Sequence, residues 1–124
     1  MKLVLGSLTY RDRRLEGFDA AVLLEVIEHL EPRRLPSFES AIFGHTQPPC
    51  VVITTPNAEY NPLFPSLPAG RFRHPDHRFE WSRQEFEVWG NAIAQEYGYE
   101  VEFSAIGAVD DRLGGPTQLA VFTR

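Results

Sequence analysis

Hydrophobic positions come in two kinds of run along this chain, and their alternation predicts the elements. Phe18 to Val26, preceded by Gly17, is a compact apolar stretch of the kind found in strands buried on both faces of a parallel sheet. It runs into Glu25-Val26-Ile27-Glu28-His29-Leu30, where polar residues interrupt the pattern. From Pro32 to Gly44, Leu35, Phe38, Ile42 and Phe43 recur at helical spacing, with Gly44 placed as a C-terminal stop. Val51-Val52-Ile53-Thr54-Thr55 reads as a second buried strand, ended by Pro56 and Asn57. Pro62, Pro65, Pro68, Gly70 and Pro75 make Asn57 to Arg78 a long loop, and loops of that length are usually functional or disordered.

Ser82-Arg83-Gln84-Glu85 has capping-box spacing, and Phe86, Trp89, Ile93 and Tyr97 continue one helical face to Gly98. Tyr99-Glu100-Val101-Glu102-Phe103 alternates as a strand, and Gly114-Gly115-Pro116 turns the chain into Gln118-Leu119-Ala120-Val121-Phe122. The order strand, helix, strand, long loop, helix, strand, strand predicts an α/β sheet with helices packed on it. Its final hairpin-like pair supplies an antiparallel edge.

Composition narrows this to one domain. The 124 residues are 43% hydrophobic and 12% aromatic, enough for a packed core and too much for a disordered chain. The apolar run from Ala20 to Leu24 is far short of a membrane span, and Arg11, Arg13 and Arg14 follow Met1-Lys2-Leu3-Val4-Leu5 too soon for a secretory signal. A soluble, cytoplasmic protein is expected. The single Cys50 excludes an intrachain disulfide and reads as a small buried hydrophobe.

The net charge of −5 argues against a protein held to nucleic acid by bulk electrostatics. Its distribution says more. Seven acids and no Lys or Arg lie between Gln84 and Asp111, whereas Arg71, Arg73, Arg78 and Arg83 cluster with His74 and His77. Eleven of the twelve basic residues are Arg, the side chain suited to bidentate phosphate contacts.

The candidate chemistry begins at Glu25, Glu28 and His29, where the first strand ends and open α/β sheets place their ligands. In a helical turn, spacings of three and four bring the three side chains to one face. A histidine from the Arg-rich loop would complete a mixed oxygen and nitrogen site, suited to Mg²⁺ or Mn²⁺ through its oxygens and to Zn²⁺, Fe²⁺ or Co²⁺ through its imidazoles. The plain structural alternative is an exposed acidic helix start carrying a surface histidine.

In Arg73-His74-Pro75-Asp76-His77-Arg78-Phe79-Glu80-Trp81, the two histidines are expected to supply one ligand and one group supporting it, with Asp76 orienting a ring nitrogen. Alternatively Asp76 and the arginines form surface ion pairs. Phe79 and Trp81 are expected as core anchors, and His45 as an exposed turn residue with no nearby partner. Glu25-x-x-Glu28-His29 differs from the His-x-x-Glu-His motif of inverted zinc proteases in its first ligand. Thr55-Pro56-Asn57-Ala58-Glu59-Tyr60 lacks the second proline of the Asp/Asn-Pro-Pro-Tyr loop of base methyltransferases.

Three segments carry a specific likeness: Glu25-Val26-Ile27-Glu28-His29-Leu30, Thr54-Thr55-Pro56-Asn57-Ala58-Glu59-Tyr60-Asn61, and Arg73 through Trp81. In this order they resemble the metal-dependent RNA 3′-terminal ribose 2′-O-methyltransferases, the family of the plant small-RNA methyltransferase HEN and its bacterial RNA-repair relatives. The resemblance runs from about Gly6-Ser7-Leu8-Thr9-Tyr10-Arg11-Asp12 to Gln118-Leu119-Ala120-Val121-Phe122, with small departures such as Ser82 where Thr is commoner.

The resemblance implies that Glu25, Glu28, His29 and His77 bind one Mg²⁺ or Mn²⁺, with His77 preferred to His74 for its place in Asp-His-Arg-Phe-Glu-Trp. It implies S-adenosylmethionine as methyl donor and an RNA 3′ end as substrate, both ribose hydroxyls meeting the ion. Arg71, Arg73 and Arg78 are expected phosphate contacts on charge alone. The Gly-rich loop and acidic strand end that hold the donor in this fold are not found in the sequence, so Ser7 and Asp12 are the only cofactor candidates.

Residues 1–124 thus look like the C-terminal half of one Rossmann-like class I methyltransferase domain, its N-terminal strands missing. Such a chain is expected to be inactive or nearly so alone, and either to come from a truncated reading frame or to need a partner chain supplying the other half. An RNA kinase or ligase of a repair system is a further expected partner. A non-catalytic RNA-end or metal-binding module is the alternative, told apart by failing to bind S-adenosylmethionine. A metallohydrolase is a third reading, and would need a water-activating base and Zn²⁺.

Overall fold

The computed structural model describes residues 20–124. Four strands form one sheet: β1 (Ala20–Leu24), β2 (Cys50–Pro56), β3 (Glu100–Ile106) and β4 (Thr117–Thr123). Their order is β1-β2-β4-β3. β1 and β2 run parallel, Ala20 opposite Cys50 and Leu24 opposite Thr54. β4 runs antiparallel to both β2 and β3. The expected antiparallel pair is present on one side of the sheet. Its reversed member is β4, inserted between β2 and β3, which leaves β3 as the outer strand on that side and β1 on the other among the described residues.

β1 is shorter than the apolar run suggests. The chain leaves the strand after Leu24 because Glu25 takes a left-handed backbone conformation, φ 56°, and its N–H turns to Thr54 O and Thr54 Oγ1. The helical segment after it is composite: a 3₁₀ turn at Pro32–Arg34, then α1 (Leu35–Glu39), then a π-helical stretch Ser40–Thr46. Gly44 does not stop it. Gln47 does, in the left-handed region at φ 51°, while a Cβ on Gly44 would lie 3.1 Å from the Tyr97 ring. Gly44 is therefore a close-packing residue. His45, expected as a partnerless exposed turn residue, sits inside the π-helical stretch, partly buried, and is not without a partner.

α2 (Arg83–Tyr97) starts as its sequence dictates. Ser82 Oγ accepts from Glu85 N and Glu85 Oε1 accepts from Ser82 N, and Gly98 ends the helix at φ 76°. α1 and α2 cover one face of the sheet, where Val51, Ile53, Ala120 and Phe122 are fully buried. Phe43 meets Phe122 edge to face at 4.9 Å, and Trp89 approaches the same ring. Gly90 lets α2 close on Phe103, whose ring would lie 2.7 Å from an added Cβ. Among the described residues no helix is long and apolar enough to cross a membrane.

Candidate metal centre

The carboxyl ends of β1 and β2 deliver the candidate residues. After the left-handed Glu25, a single 3₁₀ turn at Ile27–His29 packs Ile27 into the core and carries Glu28 in with it. Glu28 is fully buried. The long connection following β2 is partly ordered by a 3₁₀ helix at Ala58–Leu63, capped by Asn57 Oδ1 accepting from Glu59 N. It then folds back so that Arg78 N donates to Glu28 O at 2.7 Å, stitching the histidine loop to the Glu28 turn.

Three donors converge there. Glu28 Oε2 lies 3.7 Å from His29 Nε2 and 3.9 Å from His77 Nε2. Among the described residues Glu28, His29 and His77 form a group whose ligand atoms lie within 4.8 Å of one another. Octahedral bonds of about 2.1 Å separate donors by roughly 3 Å (cis) to 4.2 Å (trans), so the three need close by less than an ångström to share an ion. The two carboxylate oxygens of Glu28 differ. Oε1 accepts from Thr55 Oγ1 at 2.8 Å, whereas Oε2 is buried with no hydrogen-bond partner. Burial, reinforced by the neighbouring Glu25 carboxylate, pushes the Glu28 carboxyl up to about 7 from 4.5.

His77 is held from behind. Its Nδ1 is 2.6 Å from Oε2 of Glu80, a buried carboxylate that also accepts from Asn61 Nδ2 and Arg73 N. That bond places the ring proton on Nδ1 and leaves the Nε2 lone pair facing Glu28, the usual support for a metal-binding imidazole. Sequence reasoning assigned the orienting role to Asp76. Asp76 instead turns its N–H to His74 Nδ1 on the exposed side of the loop, with its carboxylate 3.7 Å from the same nitrogen. Glu80 and Thr55 were missed as supports, although the three-residue spacing of His77 and Glu80 is visible in the sequence.

The remaining expected site residues are placed as follows. Glu25 is exposed, close enough to raise the Glu28 pKa, and its Oε1 makes a 3.4 Å contact with Thr117 Oγ1. It stands beside the three-residue group and not within it. His74 is exposed, its ring 6.2 Å from His29 and 5.6 Å from His77. Arg73 spends its guanidinium inside the protein, on Asn61 Oδ1 and Asn57 O, over the Phe64 ring. Arg71 and Arg78 are exposed. Phe79 is buried and stacks on Trp81 at 4.4 Å, as core anchors do. Ser7 and Asp12 lie outside the described residues.

No protein-family model matches the chain. It is 47% identical over 122 residues to the small RNA 2′-O-methyltransferase of Mus musculus, covering 96% of this chain and 30% of that protein. The methyltransferase domain of bacterial CtHen1-CN has the same fold at TM-score 0.83 and 49% identity, over 96% of this chain and 60% of that one. A chain of the Pnkp1/Rnl/Hen1 RNA repair complex matches at TM-score 0.64 and 27% identity, over 93% of this chain and 25% of that one. At 14% identity and TM-score 0.65 a SAM dependent methyltransferase from Archaeoglobus fulgidus shares the fold alone, over 98% of this chain and 66% of that one.

The sheet with its inserted antiparallel strand is that of a class I S-adenosylmethionine-dependent methyltransferase domain. Within that class the segment is similar, along nearly its whole length, to part of the small RNA 2′-O-methyltransferases of the HEN type. The chain spans 30% of the length of the mouse relative.

Proposed function

We propose that this chain forms the acceptor side of an enzyme that moves a methyl group from S-adenosylmethionine to the 2′-hydroxyl of the 3′-terminal ribose of RNA. The observation that carries this reading is the buried, unpartnered Oε2 of Glu28, facing two imidazole nitrogens. An orphaned buried acceptor is rare and costly, and a divalent cation satisfies it. The ligand set of this reading is Glu25, Glu28, His29 and His77, with Mg²⁺ or Mn²⁺ as the ion. Two carboxylates and two imidazoles suit such an ion and leave room for ribose oxygens.

The chain's own residues prepare that position. Thr55 occupies Glu28 Oε1 and leaves Oε2 for the cation. Glu80 fixes the His77 tautomer, and the Arg78 to Glu28 backbone bond keeps the two ligand-bearing turns in register. A cation held there supplies the charge that acidifies a ribose hydroxyl near neutral pH. The donor's contacts are not assigned to the described residues, because none of their glycines follows β1 or β2 directly as a cofactor loop would. They belong in this reading to the remainder of the methyltransferase domain, on this chain or a partner. A kinase and ligase of RNA repair are the further partners, supported by the likeness to a chain of the Pnkp1/Rnl/Hen1 RNA repair complex.

Calorimetric titration of Mn²⁺ into wild type, Glu28→Ala and His77→Ala tests the centre, and methylation of RNA in the presence of the rest of the domain tests the reaction. One site lost in both variants, and methyl transfer that requires a terminal 2′-hydroxyl, are expected. Unchanged binding in both variants, or methylation of a 2′-deoxy end, would falsify the reading.

A further inference from the structure

Resting on that reading, we infer that the groove beside Glu80, walled by Leu67, Pro68 and Phe72, receives the base of the terminal nucleotide by stacking, whatever its identity, with Arg71 on the adjoining phosphate. The groove has a volume of about 480 Å³, and a second hollow of about 440 Å³ continues it past Phe72 to His74. Glu80 lines the first and holds His77 from behind. His74 lines the second, its ring 5.6 Å from His77 and 6.2 Å from His29, so the groove runs round the histidine loop to the proposed seat of the ribose.

Its chemistry favours a flat, partly apolar ligand. Phe72 is 48% exposed at its wall, an aromatic surface on which a base can stack. Arg71 is exposed at the rim, with no ion pair among the described residues, and supplies the complementary charge for a phosphate. The shape is already set: Leu67 N bonds to Phe64 O and Arg71 N to Pro68 O, closing consecutive turns in a proline-rich segment.

The polar groups on the floor are committed elsewhere. Asn61 gives its Nδ2 to Glu80 Oε1 and its Oδ1 to Arg73, and Glu80 Oε2 takes His77 and Arg73 N. Base-edge readers must be unpaired to discriminate, and stacking is tolerant of base identity. The groove is therefore built for any base.

The test is fluorescence anisotropy of 5′-labelled single-stranded RNAs, with and without Mn²⁺, ending in A, C, G, U, a dideoxy nucleotide, or a nucleotide made abasic at the terminal or the penultimate position, against wild type, Phe72→Ala and Arg71→Ala. The four bases are expected to bind within about threefold of one another, and loss of the terminal base to weaken wild-type binding on the order of tenfold. Phe72→Ala is expected to bind as weakly as the abasic RNA does to wild type and to be indifferent to base removal. Arg71→Ala is expected to weaken every RNA alike and lower the salt slope by about one. A terminal-abasic penalty that persists in Phe72→Ala overturns the inference, as does a penalty that appears only when the penultimate base is removed. Binding that ignores both Mn²⁺ and the terminal hydroxyls overturns the proposed function, independently of the base result. No RNA binding by wild type overturns both.

Discussion

Oε2 of the buried Glu80 lies 2.6 Å from Nδ1 of His77, and the same oxygen accepts from Arg73 N. The carboxylate is thus anchored before it meets the imidazole, which makes it a positioning group for the ring. Glu80→Gln keeps the shape and loses the charge. Supports of this kind typically change metal affinity about 10- to 100-fold, and that loss is expected in a Mn²⁺ titration. The ¹⁵N shifts of His77 should show the Nδ1-protonated tautomer in wild type and a mixture in the variant. Unaltered tautomer and affinity would remove Glu80 from the centre.

The Glu28 carboxyl, pushed up to about 7 by burial, sets a pH dependence of known sign. Between the ordinary value and 7 the folded chain holds a proton that the unfolded chain has released, so this group favours folding fully below the ordinary value. That contribution is lost as pH rises through 7, and the metal-free melting temperature is expected to fall over the same range. Glu28→Gln should flatten the fall. Cation binding needs the Glu28 anion and neutral imidazoles, so apparent Mn²⁺ affinity should rise at least about tenfold per pH unit below 7 and level off above it. A flat affinity profile between pH 5 and about 8 would contradict the assignment.

Glu25 occupies the left-handed region at φ 56°, a conformation that costs a non-glycine residue about 1 kcal/mol or more. Its N–H is fixed by Thr54, so the strain is held by the end of β2. Glu25→Gly relieves the backbone and removes the carboxylate. It is expected to raise the metal-free melting temperature by about 4–8 °C while weakening Mn²⁺ binding. Glu25→Ala should weaken binding equally without the thermal gain. Equal melting temperatures for the two variants would show that the strain is not stored at this residue.

Legibility in the sequence followed the range of the interaction. The capping box at Ser82 and the runs around Val22, Val52 and Val121 are local patterns, and each became an element where it was expected. The insertion of β4 between β2 and β3 was not visible, because strand order depends on pairings across many residues that no local pattern records. At the site, Glu28 and His29 were found by their spacing, though they meet through a 3₁₀ turn and not on one helix face. Asp76 was named as the orienting carboxylate and Glu80 was not considered, although both stand near His77 in sequence. The contacts that separate them are made by the folded loop: Asn61 and Arg73 N hold Glu80 on the His77 ring, while Asp76 engages His74. The exposed placement of Glu25 followed from its left-handed backbone, for which a glutamate gives no sequence signal.

Arg73 and Arg78 look alike in the sequence and differ in the fold, which separates a structural arginine from a surface one. Arg73 donates from Nε to Asn61 Oδ1 and from a terminal nitrogen to Asn57 O, with its plane over Phe64. Lysine offers one nitrogen and no plane, so Arg73→Lys leaves at least one of these acceptors unpaired. The variant is expected to lose about 1–3 kcal/mol of stability in urea unfolding, and its loop to become sensitive to proteolysis between Leu63 and Phe72. Arg78 contributes its backbone N–H to Glu28 O while its side chain is exposed, and alanine keeps that N–H. Arg78→Ala should therefore stay within about 0.5 kcal/mol of wild type. If the two variants unfold at the same urea concentration, the Asn57–Asn61–Arg73 network does not hold the histidine loop, and the support of His77 must rest on Glu80 and the backbone bond from Arg78 alone.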